Sequence, residues 1–372
     1  MRIAWRNLAH DKVRFIVTII GVAFSVFLTI FQGSLLAGFI RAASKNIDAT
    51  DGDIWLTARG LNCFEFATSL PSRYVEISRG IPGVHEARRI VAGYANWRKP
   101  SGSSQLVFLI GADAGIGHDF PLPLLHSARP AISPETVTID ATDAKLLEVS
   151  SLPADLEINN LRATVAKAAD GFGSFFGAPY VYTGYADAAR YLQVPPENVS
   201  FIVLRISPRN SPSVVKRELQ RRLPDIDVWT REEFSAHSQT FWVLQTGAGG
   251  AILVAAILGF VVGFVVVSQN MYAMTMEKLE EFATLKALGA SPWYVRRIVL
   301  QQALISGFAG SLIGVLLTLP GVAATQRTIS WIYMPWWLPY AMGSTGLLMS
   351  ALASLAALRR ALSIDPARVF RA

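Results

Sequence analysis

Residue types able to do chemistry are few in this chain, and they are scattered. The five histidines are His10, His85, His118, His126 and His237, and the single cysteine is Cys63. No HExxH, GxSxG or Cys/His metal spacing occurs. The fragments "HE" (85–86) and "HD" (118–119) contain metal-ligating types but read as ordinary surface pairs. The stretch "GFGSFFGAPY" (171–180) is rich in Gly, and a Gly-rich loop can cradle phosphate. It matches neither the Walker A pattern nor GxGxxG, so it reads as a tight loop with packed Phe side chains. No catalytic, cofactor-binding or metal residue is predicted, and no ATP site is visible.

A different stretch carries the functional signal. "EKLEEFATLKALGAS" runs from Glu277 to Ser291. Glu277, Glu280 and Glu281 crowd the start of a helical pattern and Lys286 lies near its end, both favourable to the helix dipole. Leu279, Phe282, Ala283, Leu285 and Leu288 supply apolar surface, and Gly289 can end the helix in the left-handed region. "SPW" (291–293) then offers an N-cap and a Pro at the first turn of the next helix. A mere connector needs only polar residues. A capped helix over 277–290 with apolar side chains on offer predicts a docking partner.

Such a helix must be positioned by its flanks. The chain has 372 residues, of which 52% are hydrophobic and only 16% charged, against about a quarter charged in a soluble protein. Phe15–Ile40, Phe234–Met276, Ile298–Gln326 and Thr328–Leu358 contain no Asp, Glu, Lys or Arg. Each exceeds the ~20 residues a helix needs to cross a bilayer. Four transmembrane helices are predicted, near 15–38, 246–270, 299–321 and 338–358. The first is too long for a signal-peptide core and reads as an uncleaved signal anchor. "MRIAWRNLAHDK" before it suits either a short interfacial helix with Trp5 at headgroup level or a plain charged flank.

Charge sets the orientation. The N-terminus, the 271–297 loop and the C-terminal tail hold twelve basic and five acidic residues, an excess of seven that equals the chain's net charge of +7. This positive-inside pattern places both termini in the cytoplasm. It also explains the pI near 9.6 without nucleic acid as a partner. The predicted division is 1–40 (N-terminal segment and first span), 41–242 (an outer domain) and 243–372 (three spans, the 277–290 helix and a cytoplasmic tail).

The outer domain reads as mixed α and β. Strands are expected at 53–58, 105–111, 136–140, 199–207 and 225–230, and helices at 71–81, 185–194 and 211–223. The last has Ser211 as N-cap, Pro212 at its first position, and Val214, Val215, Leu219 and Leu223 on one side. In the second span Gly247, Ala251, Ala255, Gly259 and Gly263 recur every four residues, a stripe that lets another helix approach closely. A second GxxxG, "GSLIG" (310–314), lies in the third span. The sequence leaves open whether the seam is within one chain or between two. No charge lies inside any predicted span, which argues against a proton- or ion-driven transporter.

With these residues in view, the chain resembles MacB-type ABC transporter permeases, a group that includes the FtsX, lipoprotein-releasing and DevC-like branches. "EEFATLKALGAS" is similar to their cytoplasmic coupling segment, "LAHDKVRFIVTIIGVAF" (8–24) to their opening, and "RRALSIDPARVFR" (359–371) to their ending. The DevC-like branch is nearest, through "ANW" (95–97), "GFGSFFG" (171–177), "TREEF" (230–234) with "FW" (241–242), and "GFVVGFVVVSQNMY" (259–272). The order and spacing of these stretches carry the resemblance over nearly the whole chain.

The resemblance implies four spans, an α/β periplasmic domain between the first two, and a homodimer in the bacterial inner membrane. It implies a separate ABC ATPase that binds the ATP and Mg²⁺. A membrane-fusion adaptor and a TolC-like outer-membrane channel complete the exporter branches. Carried over, Glu280, Glu281, Phe282, Ala283, Thr284, Leu285, Lys286, Ala287, Leu288 and Gly289 would touch the ATPase. The function expected is the non-catalytic permease of an ATP-driven exporter, in a tripartite efflux or lipid or glycolipid export system. The alternative is an FtsX-like regulator of a periplasmic cell-wall hydrolase.

Overall fold

The computed structural model describes residues 12–113, 135–277 and 290–362, together with Glu281 and Thr284. The amphipathic start (1–11) and the tail (363–372) fall outside the described residues. The chain forms two compact units. One holds Met1–Ala37, Gly250–Thr325 and Ile332–Ala372, and the other holds Gly38–Gly249 and Gln326–Trp331. The second thus includes a six-residue return, Gln326–Trp331, far along the chain from its main segment.

The elements in chain order begin with α1 (Lys12–Ala42), α2 (Lys45–Asp48), β1 (Ile54–Ala58), β2 (Leu70–Pro71), α3 (Arg73–Arg79), β3 (Val84–Arg98) and β4 (Ser104–Ala112). There follow β5 (Thr136–Asp140), β6 (Ala154–Ile158), β7 (Leu161–Ala169), β8 (Tyr180–Gly184), α4 (Tyr185–Tyr191), β9 (Asn198–Val199) and β10 (Phe201–Ile206). The rest are α5 (Pro212–Arg222), β11 (Ile226–Thr230), α6 (Arg231–Thr240), α7 (Ala248–Glu277), α8 (Pro292–Gln326) and α9 (Leu338–Leu362).

The α/β unit is built on a nine-stranded sheet of order β11-β1-β10-β3-β4-β8-β5-β7-β6. The far end of β3 also pairs with β6, Trp97 opposite Ile158, so six strands from β3 round to β6 close into a ring. The longest strand, β3, belongs to both halves. Its residues alternate, so that Ile90 and Ala92 enter one core while Val91, Ala95 and Trp97 enter another. The ring is filled by Trp97, Leu109, Ile139, Val165 and Val181, against which α4 lays Ala188 and Tyr191. α3 and α5 cover one face of the β11-β1-β10-β3 half through Val75, Val215 and Leu219. A third core of Trp55, Phe64, Phe108, Phe201 and Phe234 lies elsewhere in the same unit.

One expectation at α5 is corrected. Val214 is 54% exposed while Val215, Leu219 and Leu223 are buried, because 100° per residue turns Val214 off the packed stripe. Ser211 sits at the N-cap, but its hydroxyl pairs with Ser213 Oγ at 2.9 Å instead of a helix amide. α6 has the stronger cap. The Thr230 side chain accepts from the Glu233 amide, and Glu233 reaches back to the Thr230 amide at 2.7 Å.

The helical unit contains three helices long and apolar enough to cross a membrane, Phe15–Ala42, Ala248–Glu277 and Arg296–Gln326. The run near 338–358 also forms a helix, α9. Gly343, Ser344, Thr345, Gly346, Ser350 and Ser354 dilute its hydropathy, and composition alone marks three candidate spans among the described residues. α1 carries the buried centre of this unit through Val22, Val26 and Ile30.

Candidate functional site

Close approach in the helical unit is made by glycine. A Cβ on Gly259 would lie 2.6 Å from Leu28 Cδ2, and one on Gly263 would lie 2.0 Å from Ser25 Oγ. Both glycines therefore face α1 of the same chain. Gly310 and Gly314 on α8 face α1 as well, with Val22 Cβ and Ala23 O each 2.6 Å from the missing Cβ. Gly346 of α9 completes the contact, 2.6 Å from Val26 Cγ2 on the same measure. Small residues let the backbones approach to packing distance. The predicted stripe is shorter than its sequence pattern. Gly247 stands before α7 with a φ of +74° and open space around it, so it ends the preceding turn. Ala251 is exposed and Ala255 half-buried.

Of the predicted coupling residues, Glu281 and Thr284 are described, and both are helical and exposed. Glu280, Phe282, Ala283, Leu285, Lys286, Ala287, Leu288 and Gly289 lie outside the described residues. The start of α8 has the expected form. Pro292 is its first residue, and the Tyr294 amide donates to Ser291 O at 2.9 Å and to Ser291 Oγ at 3.4 Å. α8 then runs for 35 residues, about 52 Å at 1.5 Å per residue.

The α/β unit holds an aromatic junction that sequence reasoning reached only in part, through "GFGSFFG" and "FW". Phe175 sits edge-on to Phe39 at 5.2 Å and to Trp242 at 4.9 Å, and Phe39 is edge-on to Trp331 at 6.3 Å. Phe176 stacks on Trp242 at 5.9 Å. One loop thus gathers the end of α1, the turn before α7 and the segment after α8. Gly171 and Gly177, with φ of +86° and +90°, turn the chain at its two ends.

Beneath the junction, Glu65 is 1% exposed. Its carboxyl group accepts from Tyr180 OH at 2.8 Å and from Trp242 Nε1 at 2.9 Å. Burial raises its pKa, and those two bonds oppose the rise. Neighbouring Cys63 is a buried free thiol pushed up to about 12, first by burial and then by Glu65, so it is inert as a nucleophile. On the loop's other side the Phe172 amide donates to Asp140 Oδ2 at 2.5 Å, and the Thr142 amide to Asp140 Oδ1 at 2.9 Å. Lys45 Nζ lies 4.3 Å from the Phe172 ring centroid. Burial lowers the Lys45 pKa, as does the charge of Arg41.

The remaining chemistry-bearing residues have structural settings. His237 Nε2 is 2.9 Å from Leu61 O, and its ring stacks on Trp229. His85 is exposed on β3, and His10, His118 and His126 lie outside the described residues. Among the described residues, no group of His, Cys, Asp and Glu could hold a metal ion.

One unit is thus a set of apolar helices packed at glycines, and the other an α/β sheet domain. Comparison with known proteins gives the family. Residues 15–222 match the MacB-like periplasmic core domain, and residues 253–366 match the FtsX-like permease C-terminal domain. The chain belongs to the MacB/FtsX-type ABC transporter permeases. It is 22% identical over 369 residues to an uncharacterized ABC transporter permease of Mycobacterium bovis, covering 99% of this chain and 98% of that one. Two permeases of Mycobacterium tuberculosis match with the same identity and coverage. Among solved structures, the periplasmic region of MacB from Actinobacillus actinomycetemcomitans aligns with a TM-score of 0.37 at 11% identity, over 50% of this chain and 90% of that one.

Proposed function

We propose that this chain is the permease subunit of an ATP-driven exporter. It has four spans and cytoplasmic termini in a bacterial inner membrane, with the α/β unit in the periplasm. It works as a homodimer with a separate ABC ATPase, which binds the ATP and Mg²⁺. The segment Glu280–Gly289 docks on that ATPase, Leu285 and Leu288 supplying apolar contact and the charges setting orientation. A membrane-fusion adaptor and a TolC-like channel continue the export path, in a tripartite efflux or a lipid or glycolipid export system.

The observation that carries this reading is the aromatic junction. Phe39, Trp242 and Trp331 belong to three chain segments contiguous with apolar helices, and they meet around one loop of the α/β unit. Aromatic pairs favour such edge-to-face geometry by about 0.5–1.5 kcal/mol each beyond their area burial, so the rings hold one another in place. A displacement of any of the three segments is therefore passed to the sheet. That arrangement suits a relay of motion better than a substrate pore.

A crosslinked pull-down of the tagged protein from its native membrane, read by mass spectrometry, tests the proposal. An ABC ATPase with a membrane-fusion adaptor is the expected capture. An ATPase with a periplasmic hydrolase instead would replace export by regulation. No ATPase, under conditions that keep a known ABC complex intact, would overturn the coupling role.

A further inference from the structure

α1 and α7 are joined to the α/β unit directly by the chain. α8 reaches it differently, through the short segment Gln326–Trp331, which packs as part of that unit before the chain returns to α9. The contact at its end is unusually close. A Cβ built on Gly173 would lie 1.9 Å from Ser330 Oγ and 3.2 Å from Ser330 Cβ. Thr142 Oγ1 would be 3.1 Å away on another side.

Gly173 differs from its neighbours in why it must be glycine. Gly171 and Gly177 have positive φ, where a side chain is strained. Gly173 is absent from the positive-φ set, so its backbone would accept Ala without strain. What excludes a side chain there is the seryl group of Ser330. The loop around it is fixed from below, as Asp140 at the end of β5 accepts the Phe172 amide and also binds Thr142 through both its amide and its hydroxyl. Trp331 follows at once and meets Phe39.

We infer that Ser330 and Gly173 form a clasp through which α8, the helix that follows the coupling segment, drives the Gly/Phe loop and the strands β5, β7 and β8 that hold it. Part of this rests on the coupling role proposed above, but the clasp itself does not. It is non-covalent and depends on one missing Cβ, so a single methyl group releases it. α1 and α7 then stay attached, while the segment after α8 keeps only its indirect contact through Trp331 and Phe39.

The test is hydrogen–deuterium exchange on the full-length chain in lipid nanodiscs, followed in peptides covering 171–177 and 326–331. In Gly173→Ala both segments should exchange at least about tenfold faster than in the wild type, the change that about 1.4 kcal/mol of lost local stability produces. Ser330→Gly added to Gly173→Ala removes the two clashing atoms and should restore the protection of 171–177.

Unchanged exchange in 326–331 on Gly173→Ala, or absence of rescue by Ser330→Gly, would each overturn the clasp. None of these readouts needs ATP or the ATPase. Loss of ATPase capture would therefore sink the coupling role and leave the clasp standing. With the ATPase bound, a non-hydrolysable ATP analogue should shift exchange in both segments together in the wild type but only in 326–331 in Gly173→Ala. A shift in 171–177 that survives in Gly173→Ala would show that α8 does not drive the loop through this contact.

Discussion

Trp242 donates its indole N–H to Glu65 Oε2 at 2.9 Å, tying the turn before α7 to a carboxyl group that is 1% exposed. The bond spans 177 residues of sequence, and Tyr180 holds the other oxygen. Trp242→Phe keeps most of the ring packing with Phe175 and Phe176 but leaves a buried carboxyl oxygen without its donor. Unsatisfied burial of this kind costs ~1–3 kcal/mol. Thermal unfolding of the full-length protein in detergent should show that loss, and Glu65→Gln should cost less than Trp242→Phe. Equal stability of Trp242→Phe and the wild type would mean that the bond contributes nothing net.

The α1–α7 seam makes a steric prediction. Gly263→Leu forces a side chain into the space of Ser25, and Gly259→Leu into that of Leu28. Overpacking of this sort typically costs ~1–3 kcal/mol. Both variants should insert in the membrane and melt at lower temperature, while Ala251→Leu, at an exposed position, should melt like the wild type. Three equal melting temperatures would remove the seam from the account of helix packing.

Asp143 gives the α/β unit a pH dependence. Its carboxyl pKa is raised from an ordinary 3.8 to about 7, chiefly by burial and then by the charge of Asp140. The folded state therefore holds this proton between about pH 4 and 7 while the unfolded chain has released it. Stability from this group is greatest below pH 4 and declines as pH rises to about 7. Asp143→Asn cannot ionise, so its melting temperature should fall less than that of the wild type between pH 5 and pH 8. Parallel curves for the two proteins would rule out Asp143 as the titrating group.

The coupling segment is tested by charge. Leu285→Glu and Leu288→Glu place carboxylates where the apolar contact is proposed, and truncation or polar replacement of such anchors commonly costs 2 kcal/mol or more, about thirtyfold in affinity. Membrane insertion should be normal and ATPase co-purification strongly reduced. Normal co-purification of both variants would move the contact elsewhere.

The relation of sequence to structure differs between the two units. Most helix positions followed from uncharged runs, because exclusion of charge from a bilayer acts on each residue locally. Short strands rich in β-branched residues, such as 136–140, were legible for a similar reason. β3 was not, since His85, Glu86, Arg88 and Arg89 interrupt its apolar alternation. Its strand state is fixed by partners far along the chain, β4, β6 and β10. The strands β6, β7 and β8 were missed for the same non-local reason.

By itself, then, the sequence determined an uncharged helical frame, an excess of cations at the segments read as cytoplasmic, a polar stretch between two apolar runs, and an α/β insertion. Each follows from properties of neighbouring residues: hydropathy, charge and helix-end chemistry. Only the tertiary structure decided that Gly259 and Gly263 face α1 of their own chain, that Glu65 is buried under Trp242, and that Ser330 fills the space where Gly173 has no side chain. Those are meetings of residues tens to hundreds of positions apart. Their geometry depends on how closed sheets and packed helices bring backbones together, and no local pattern encodes that distance.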